Sequence, residues 1–228
     1  MQALTYTIIP LVAIIVGAAI AVARTPKPGF VSAMQHLAAG VVFAAAAAEI
    51  LPQVMHQNSP SATLIGGAAG VALMLTLKAL EGRAKGPVVL LGAIAIDILV
   101  DGLVLGLGFI AGAKAGLLLT VALTLEVLFF GLTVTTELGE TITSKWKIVG
   151  VTALIGLLLP IGAVIATPVA TLSGVWIAGF LSFGLMALLY LVTEELLTEA
   201  HEHPDNPLIS AMFFVGFLGL LLLEELTG

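Results

Sequence analysis

The chain has 228 residues, of which 60% are hydrophobic and only 10% charged, with a net charge of −6 and a mean hydropathy of +1.18. A soluble domain carries about a quarter charged residues to wet its surface, so a water-soluble fold is excluded. There is no cysteine, which removes disulfides and thiolate ligands, and there is no basic patch of the kind that binds nucleic acid.

The apolar runs are long enough to cross a bilayer as helices, which takes about 20 residues. The alternating short strands of a porin-like barrel are not seen. Eight spans are expected, at 4–23, 31–53, 61–80, 87–112, 115–138, 147–168, 172–200 and 207–225. Polar breaks separate them: Arg24 to Gly29, Gln57 to Pro60, Glu81 to Lys85, Gly112 to Lys114, Glu140 to Lys147, and His201 to Pro207. Thr167-Pro168, short and uncharged, is the least marked break. The first span resembles a signal peptide at Ala21-Val22-Ala23, but no Lys or Arg precedes it, and it is expected to stay in the protein. The 25 glycines suit close helix packing in lipid.

Lysine and arginine set the orientation. Arg24, Lys27, Lys78, Arg83, Lys85, Lys145 and Lys147 fall on one side of an eight-span chain, and Lys114 alone on the other. The odd-numbered connections are therefore expected in the cytoplasm and both termini outside.

Acids inside apolar spans are costly, roughly 2.5 to 3.5 kcal/mol each even on insertion scales, and mark function by default. Asp97 and Asp101 lie deep in span four, one helical turn apart on one face. Glu126 lies midway along span five, and neither span has an internal Lys or Arg. A bound cation or protons are then the candidate neutralisers. The alternative is a pair of protonated, hydrogen-bonded acids. The two spans echo each other: Asp97-x-x-x-Asp101-Gly102 and Glu126-x-x-x-Phe130-Gly131 both place Gly five residues after an acid. Inverted repeats around a midplane site are a transporter signature. Glu49, before Leu51-Pro52, lies towards the outer end of span two, where a snorkelling interfacial acid is the alternative. Glu194, Glu195 and Glu199 lead into His201, Glu202 and His203 at the inner end of span seven. For Glu199, Glu202 and Asp205 a solvated helix end is the simpler reading. Outer, midplane and inner acids together outline a cation path. His36 is expected to pack at the inner boundary and His56 to lie in a loop. The hydroxyls of Thr133, Thr135 and Thr136 are expected to be satisfied within their own helix. No nucleophile–base pair points to an enzyme.

These residues resemble the ZIP family of divalent-metal transporters, especially its bacterial GufA-like branch. Span two, from Leu37-Ala38-Ala39-Gly40 to Glu49-Ile50-Leu51-Pro52, is similar to that branch's second helix. The stretch from Tyr190 through Glu194-Glu195-Leu196-Leu197-Thr198-Glu199-Ala200-His201 is similar to the family's EELxPEAH segment. The resemblance implies an all-α integral membrane protein with eight transmembrane helices in an inverted 3+2+3 bundle, spans 1–3 and 6–8 clasping four and five, as one transporter domain over residues 1–228. It implies metal ligands at Asp97, Asp101 and Glu126, an entrance residue at Glu49 and inner-exit residues at Glu194 and Glu195. The central motifs depart from the family: Asp97 replaces its His, Ile98 its Asn, Phe130 and Leu159 its further acids. At most one metal fits, with oxygen ligands only, which favours Mn²⁺, Mg²⁺ or Ca²⁺ over Zn²⁺.

The expected function is divalent-cation transport in the cell inner (plasma) membrane. Zn, Mn, Fe and Mg stay open as substrate, and no resident cofactor is expected. The expected partners are the lipid bilayer and the metal ion, with a homodimer as one open assembly. Movement of protons or another solute, and a non-transporting scaffold, are the alternatives.

Overall fold

The computed structural model describes residues 2–83, 87–139, 142–202 and 206–227, without the side chains of 81–90, 136 and 137. Lys85, Glu140, His203, Asp205 and Gly228, which entered the sequence reading, lie outside the described residues, as do the side chains of Arg83 and Thr136. Eight helices among the described residues are long and apolar enough to cross a membrane. They are α1 (Gln2–Ala23), α2 (Pro28–His56), α3 (Pro60–Arg83), α4 (Pro87–Ala111), α5 (Ala113–Gly139), α6 (Lys145–Thr171), α7 (Gly174–His201) and α8 (Pro207–Thr227). Each expected span is met within about three residues, a normal uncertainty for helix ends.

The ends follow from local chemistry. Asn58 takes a left-handed φ of 48° between α2 and α3, a conformation Asn tolerates better than most residues. Asn206 caps α8: its side-chain oxygen accepts hydrogen bonds from the Leu208 and Ile209 amides, both at 3.0 Å. Pro207 then stands at the first helical position, where its missing N–H costs nothing. The division between α6 and α7 lies at Leu172-Ser173, with Thr167–Thr171 wound as a 3₁₀ turn. The break thus comes a few residues after Thr167-Pro168, because proline at a helical second position continues the chain for one turn.

Three internal prolines each leave a mark one turn upstream. Pro10 and Pro160 deprive Tyr6 and Gly156 of their hydrogen-bond donor, and the helices break at Thr7 and Leu157. Pro52 does the same to Ala48, and there α2 widens into a π turn over Ala46–Ile50. A second π turn, Leu191–Leu196 in α7, has no proline behind it. Just after it, the Thr198 hydroxyl donates to the Thr193 carbonyl of the turn, five residues back, at 3.4 Å.

Four helix pairs make the tightest contacts: α1 with α5, α4 with α6, α2 with α8, and α3 with α7. Small residues permit each. A Cβ on Gly102 of α4 would collide with the Leu159 carbonyl of α6, and one on Gly162 with the Leu99 carbonyl. Gly17 and Gly131 play the same part between α1 and α5, and Gly40 and Gly216 between α2 and α8. Such approaches gain van der Waals contact, the main glue available once both partners are already in lipid. Further contacts join α4 to α5, α2 to α5, α7 to α4 and α1 to α6. The inside of the bundle is therefore α2, α4, α5 and α7, while α3 and α8 lie at its edge. Leu64, Ile65, Phe214, Leu218 and Leu222 of those edge helices are exposed, a surface suited to lipid tails.

Candidate cation site

Asp101 and Glu126 sit midway along α4 and α5, and both are buried, 3% and 5% exposed. Their helices pack directly on one another. Glycines five residues or one residue downstream set this up. Gly102 lets α4 press against α6, and Gly131 lets α5 press against α1. The shared acid-then-glycine pattern of the two helices therefore has a packing counterpart: each acid rides on a helix clamped from behind by a different neighbour.

The charged groups acting most strongly on Asp101 are Glu126 and then Glu195. Those acting on Glu126 are Asp97 and then Glu195. Asp97 is half-buried. Four carboxylates from three helices thus lie within electrostatic reach of one another, and α4 between Pro87 and Gly112 and α5 between Ala115 and Gly139 contain no Lys or Arg. Like charges that act on one another in a low dielectric repel unless a cation or a proton intervenes. One Glu126 carboxylate oxygen, Oε2, is buried and has no hydrogen-bond donor, an acceptor held ready inside the bundle. Still, among the described residues no three His, Asp or Glu side chains stand together as a ready coordination sphere. The acids share a region rather than a finished cage.

The positions where the family resemblance implies further polar ligands are closed by hydrocarbon. Ile98 and Leu159 are 1% and 0% exposed and belong to one apolar cluster with Ile94 and Val127, against which Phe130 packs. Ile98 and Leu159 therefore contribute hydrocarbon, not polar atoms, beside Asp97 and the tightly packed Gly102. The threonines of α5 behave as expected: Thr133 donates to the Phe130 carbonyl at 3.0 Å and Thr135 to the Gly131 carbonyl at 2.7 Å. They are satisfied within their own helix.

The two neighbouring glutamates of α7 part company. Glu195 is half-buried and joins the central acids, whereas Glu194 is exposed, with its backbone carbonyl accepting from the Lys78 ammonium at 3.0 Å. One turn further on, Glu199 accepts a hydrogen bond from the Gln35 amide of α2 at 2.7 Å. The Ser32 hydroxyl donates to the Ala200 carbonyl at 2.8 Å, and the His36 and His201 rings meet edge to face with centroids 5.0 Å apart. Ser32, Gln35 and His36 are all at most 3% exposed. His36 thus packs in a buried polar seam between α2 and α7. Sequence reasoning missed Ser32 and Gln35. The signal was present: with His36 they form one polar stripe, at i, i+3 and i+4, on an otherwise apolar helix.

Glu49 lies in the π turn of α2, buried to 8% exposure, with Glu224 of α8 and Lys114 of α5 as its charged neighbours. Lys114 and Glu224 form an ion pair at 3.6 Å. His56 is exposed at the end of α2. The acids therefore form three groups, at Glu49, around Asp101 and Glu126, and at Glu199. No protein-family model matches the chain, and no curated protein matches it.

Proposed function

We propose that this protein moves a divalent metal cation across a membrane, as a transporter of the ZIP type with a diverged centre. The observation that carries the reading is the pair of buried carboxylates, Asp101 and Glu126, on two packed helices with no Lys or Arg between residues 87 and 112 or between 115 and 139. Buried acids of this kind are retained against their insertion cost where they handle a cation. Asp97, Asp101 and Glu126 are the proposed ligands, with Glu195 beside them, Glu49 at the entrance, and Glu199 beyond towards the exit. Oxygen donors favour Mn²⁺ or Mg²⁺, with Zn²⁺ and Fe²⁺ as competitors.

The helix pairings support the inverted 3+2+3 arrangement. Exchange α1 with α6, α2 with α7, α3 with α8 and α4 with α5. The pair α1–α5 then becomes α6–α4, α2–α8 becomes α7–α3, and α2–α5 becomes α7–α4, all of which are contacts of this bundle. The breaks at Thr7 and Leu157, each three residues before a proline, exchange too, as do the π turns of α2 and α7. Inverted repeats about a midplane site are how many transporters expose one site to two sides. The lysine and arginine distribution supports an orientation with both termini outside and the Lys78 end of the bundle in the cytoplasm. In this cysteine-free chain, a cysteine at Ser59 should react with an impermeant thiol reagent in intact cells, and one at Gly82 should not; the opposite pattern would invert the orientation.

The decisive measurement is uptake of Mn²⁺, Zn²⁺, Fe²⁺ and Mg²⁺ into proteoliposomes by the unaltered protein, with Asp101→Asn alongside. Uptake of at least one ion, lost in the variant, is the expected result. The lack of a ready three-ligand sphere among the described residues favours a second reading, in which the same acids carry protons. Proton flux without metal, unaffected by any divalent ion, would establish that reading instead.

A further inference from the structure

Lys114 is the exception to the charge segregation of this chain, the one Lys or Arg placed at its end of the bundle by the sequence. Its surroundings give it a different task. Its ammonium pairs with Glu224 at 3.6 Å, beyond normal hydrogen-bond length. The side chains are 40% and 28% exposed, so the pair is loose and reachable from water. Behind it Glu49, 8% exposed, has Glu224 and Lys114 as its charged neighbours. The three groups come from α2, α5 and α8, and α5 packs directly on the π turn that carries Glu49.

We propose that Lys114 is the resident counter-cation of Glu49 and Glu224, and that a divalent cation entering at this end exchanges with its ammonium. This rests on the transport reading above. Two carboxylates and one ammonium carry a net charge of −1. A monovalent ion replacing the ammonium leaves that balance unchanged, so it gains nothing for the work of displacement. A divalent ion makes the pair neutral and frees Lys114 to turn into water, which its exposure and four-carbon stem allow. Lys114 is then a specificity-determining residue: it sets the threshold an incoming ion must exceed, and it does so before the ion reaches Asp101 and Glu126.

Two measurements test this. The first is the concentration dependence of Mn²⁺ uptake by proteoliposomes holding the unaltered protein, Lys114→Gln, Lys114→Arg or Glu224→Gln. Lys114→Gln should lower the half-saturating Mn²⁺ concentration about fivefold, the scale of one exposed ion pair, with the maximal rate kept and with inhibition by Na⁺ newly apparent. Lys114→Arg should resemble the unaltered protein, and Glu224→Gln should raise half-saturation. The second measurement needs no transport. A lone cysteine at Gln53, one turn beyond Glu49, is labelled with a cationic and an anionic methanethiosulfonate, and the ratio of the two rates reports the local potential. That ratio should rise several-fold with Lys114→Gln and fall with Glu224→Gln. An unchanged ratio overturns the counter-cation role. A changed ratio with unchanged half-saturation and no Na⁺ effect overturns the exchange. Absence of uptake by the unaltered protein removes the transport reading and the exchange with it, while the ratio still decides whether Lys114 neutralises this end.

Discussion

Glu49 and Glu126 are both glutamates buried in apolar helices, yet their surroundings differ in one respect. Glu49 shares its end of the bundle with Lys114, a cation supplied by the chain itself. The charged groups that act most strongly on Glu126 are further acids, Asp97 and Glu195, and Glu126 acts in turn on Asp101. An acid with a tethered counter-ion is already partly neutralised when nothing is bound. An acid cluster without one is complete only when something mobile arrives, a proton or a metal ion. On the transport reading proposed above, the site that handles a cation is the buried pair Asp101 and Glu126, whose spans carry no Lys or Arg between residues 87 and 112 or between 115 and 139.

The largest expected effect separates these two environments. Asp101→Asn and Glu126→Gln should each lower cation uptake by at least about 100-fold, the upper end of what even an outer partner of a metal ligand costs. Glu49→Gln should lower it much less, because that position is passed through rather than occupied at rest. Equal losses at Glu49 and Glu126, measured as initial rates in proteoliposomes, would erase the distinction. The central site should also respond to acid: metal binding displaces protons from its carboxylates, so apparent affinity should fall as pH falls. An affinity for Mn²⁺ that holds steady through the carboxylate range would mean that these acids do not bind it.

The next effect concerns what holds the acids in place. Gly102 and Gly92 lie on the same helix, but a Cβ on Gly102 meets the Leu159 backbone and one on Gly92 meets nothing within 4 Å. Gly102→Ala should destabilise the protein by about 1 to 3 kcal/mol through overpacking. Gly92→Ala should be neutral or stabilising by up to about 1 kcal/mol, since alanine is the better helix former. Thermal unfolding in detergent reads both. Equal effects would mean that α4 and α6 do not approach as closely as Gly102 and Gly162 allow.

Why some of this was legible in the sequence and some was not follows from range. The eight helices are written locally, as apolar runs of membrane length between Arg24-Thr25-Pro26-Lys27, Asn58-Ser59-Pro60 and similar breaks. The midplane acids were legible because nothing basic accompanies them in their spans. The breaks at Thr7 and Leu157 follow from Pro10 and Pro160 by the loss of one hydrogen bond. The π turn of α7 has no such mark, since a widened turn leaves hydropathy unchanged. Nor did anything local pair Gln35 with Glu199, 164 residues away, or Lys114 with Glu224. Those depend on which helices become neighbours, and that is decided by small-residue contacts such as Gly40 with Phe213 and Gly216 with Leu37.

A smaller effect sharpens the ligand chemistry. Asp97 is the one half-buried member of the central acids on α4, and it offers oxygen where an imidazole would offer nitrogen. Asp97→His should move preference from Mn²⁺ towards Zn²⁺ by about tenfold, because nitrogen ligands suit the softer ion. Competition between the two metals for uptake checks it, and an unchanged ratio would place Asp97 outside the coordination sphere.

The smallest effect lies within a single turn of α7. Glu194 and Glu195 are adjacent in sequence, and a solvated acidic helix end would treat them alike. Within the π turn over Leu191–Leu196, Glu195 is half-buried and acts on both Asp101 and Glu126, while Glu194 is exposed beside Lys78. Removing an inward charge from an acid cluster weakens its pull on a cation. Glu195→Gln should therefore raise half-saturation about fivefold, roughly 1 kcal/mol, which is the scale for a partly exposed charge. Glu194→Gln removes a charge that water already screens, and should change half-saturation by less than about twofold. The comparison carries its own control, since both variants are isosteric and both remove one unit of charge from the same turn. If Glu194→Gln proves the stronger of the two, the inward acid is the wrong one, and the path from the central site towards Glu199 must run along the outer face of α7.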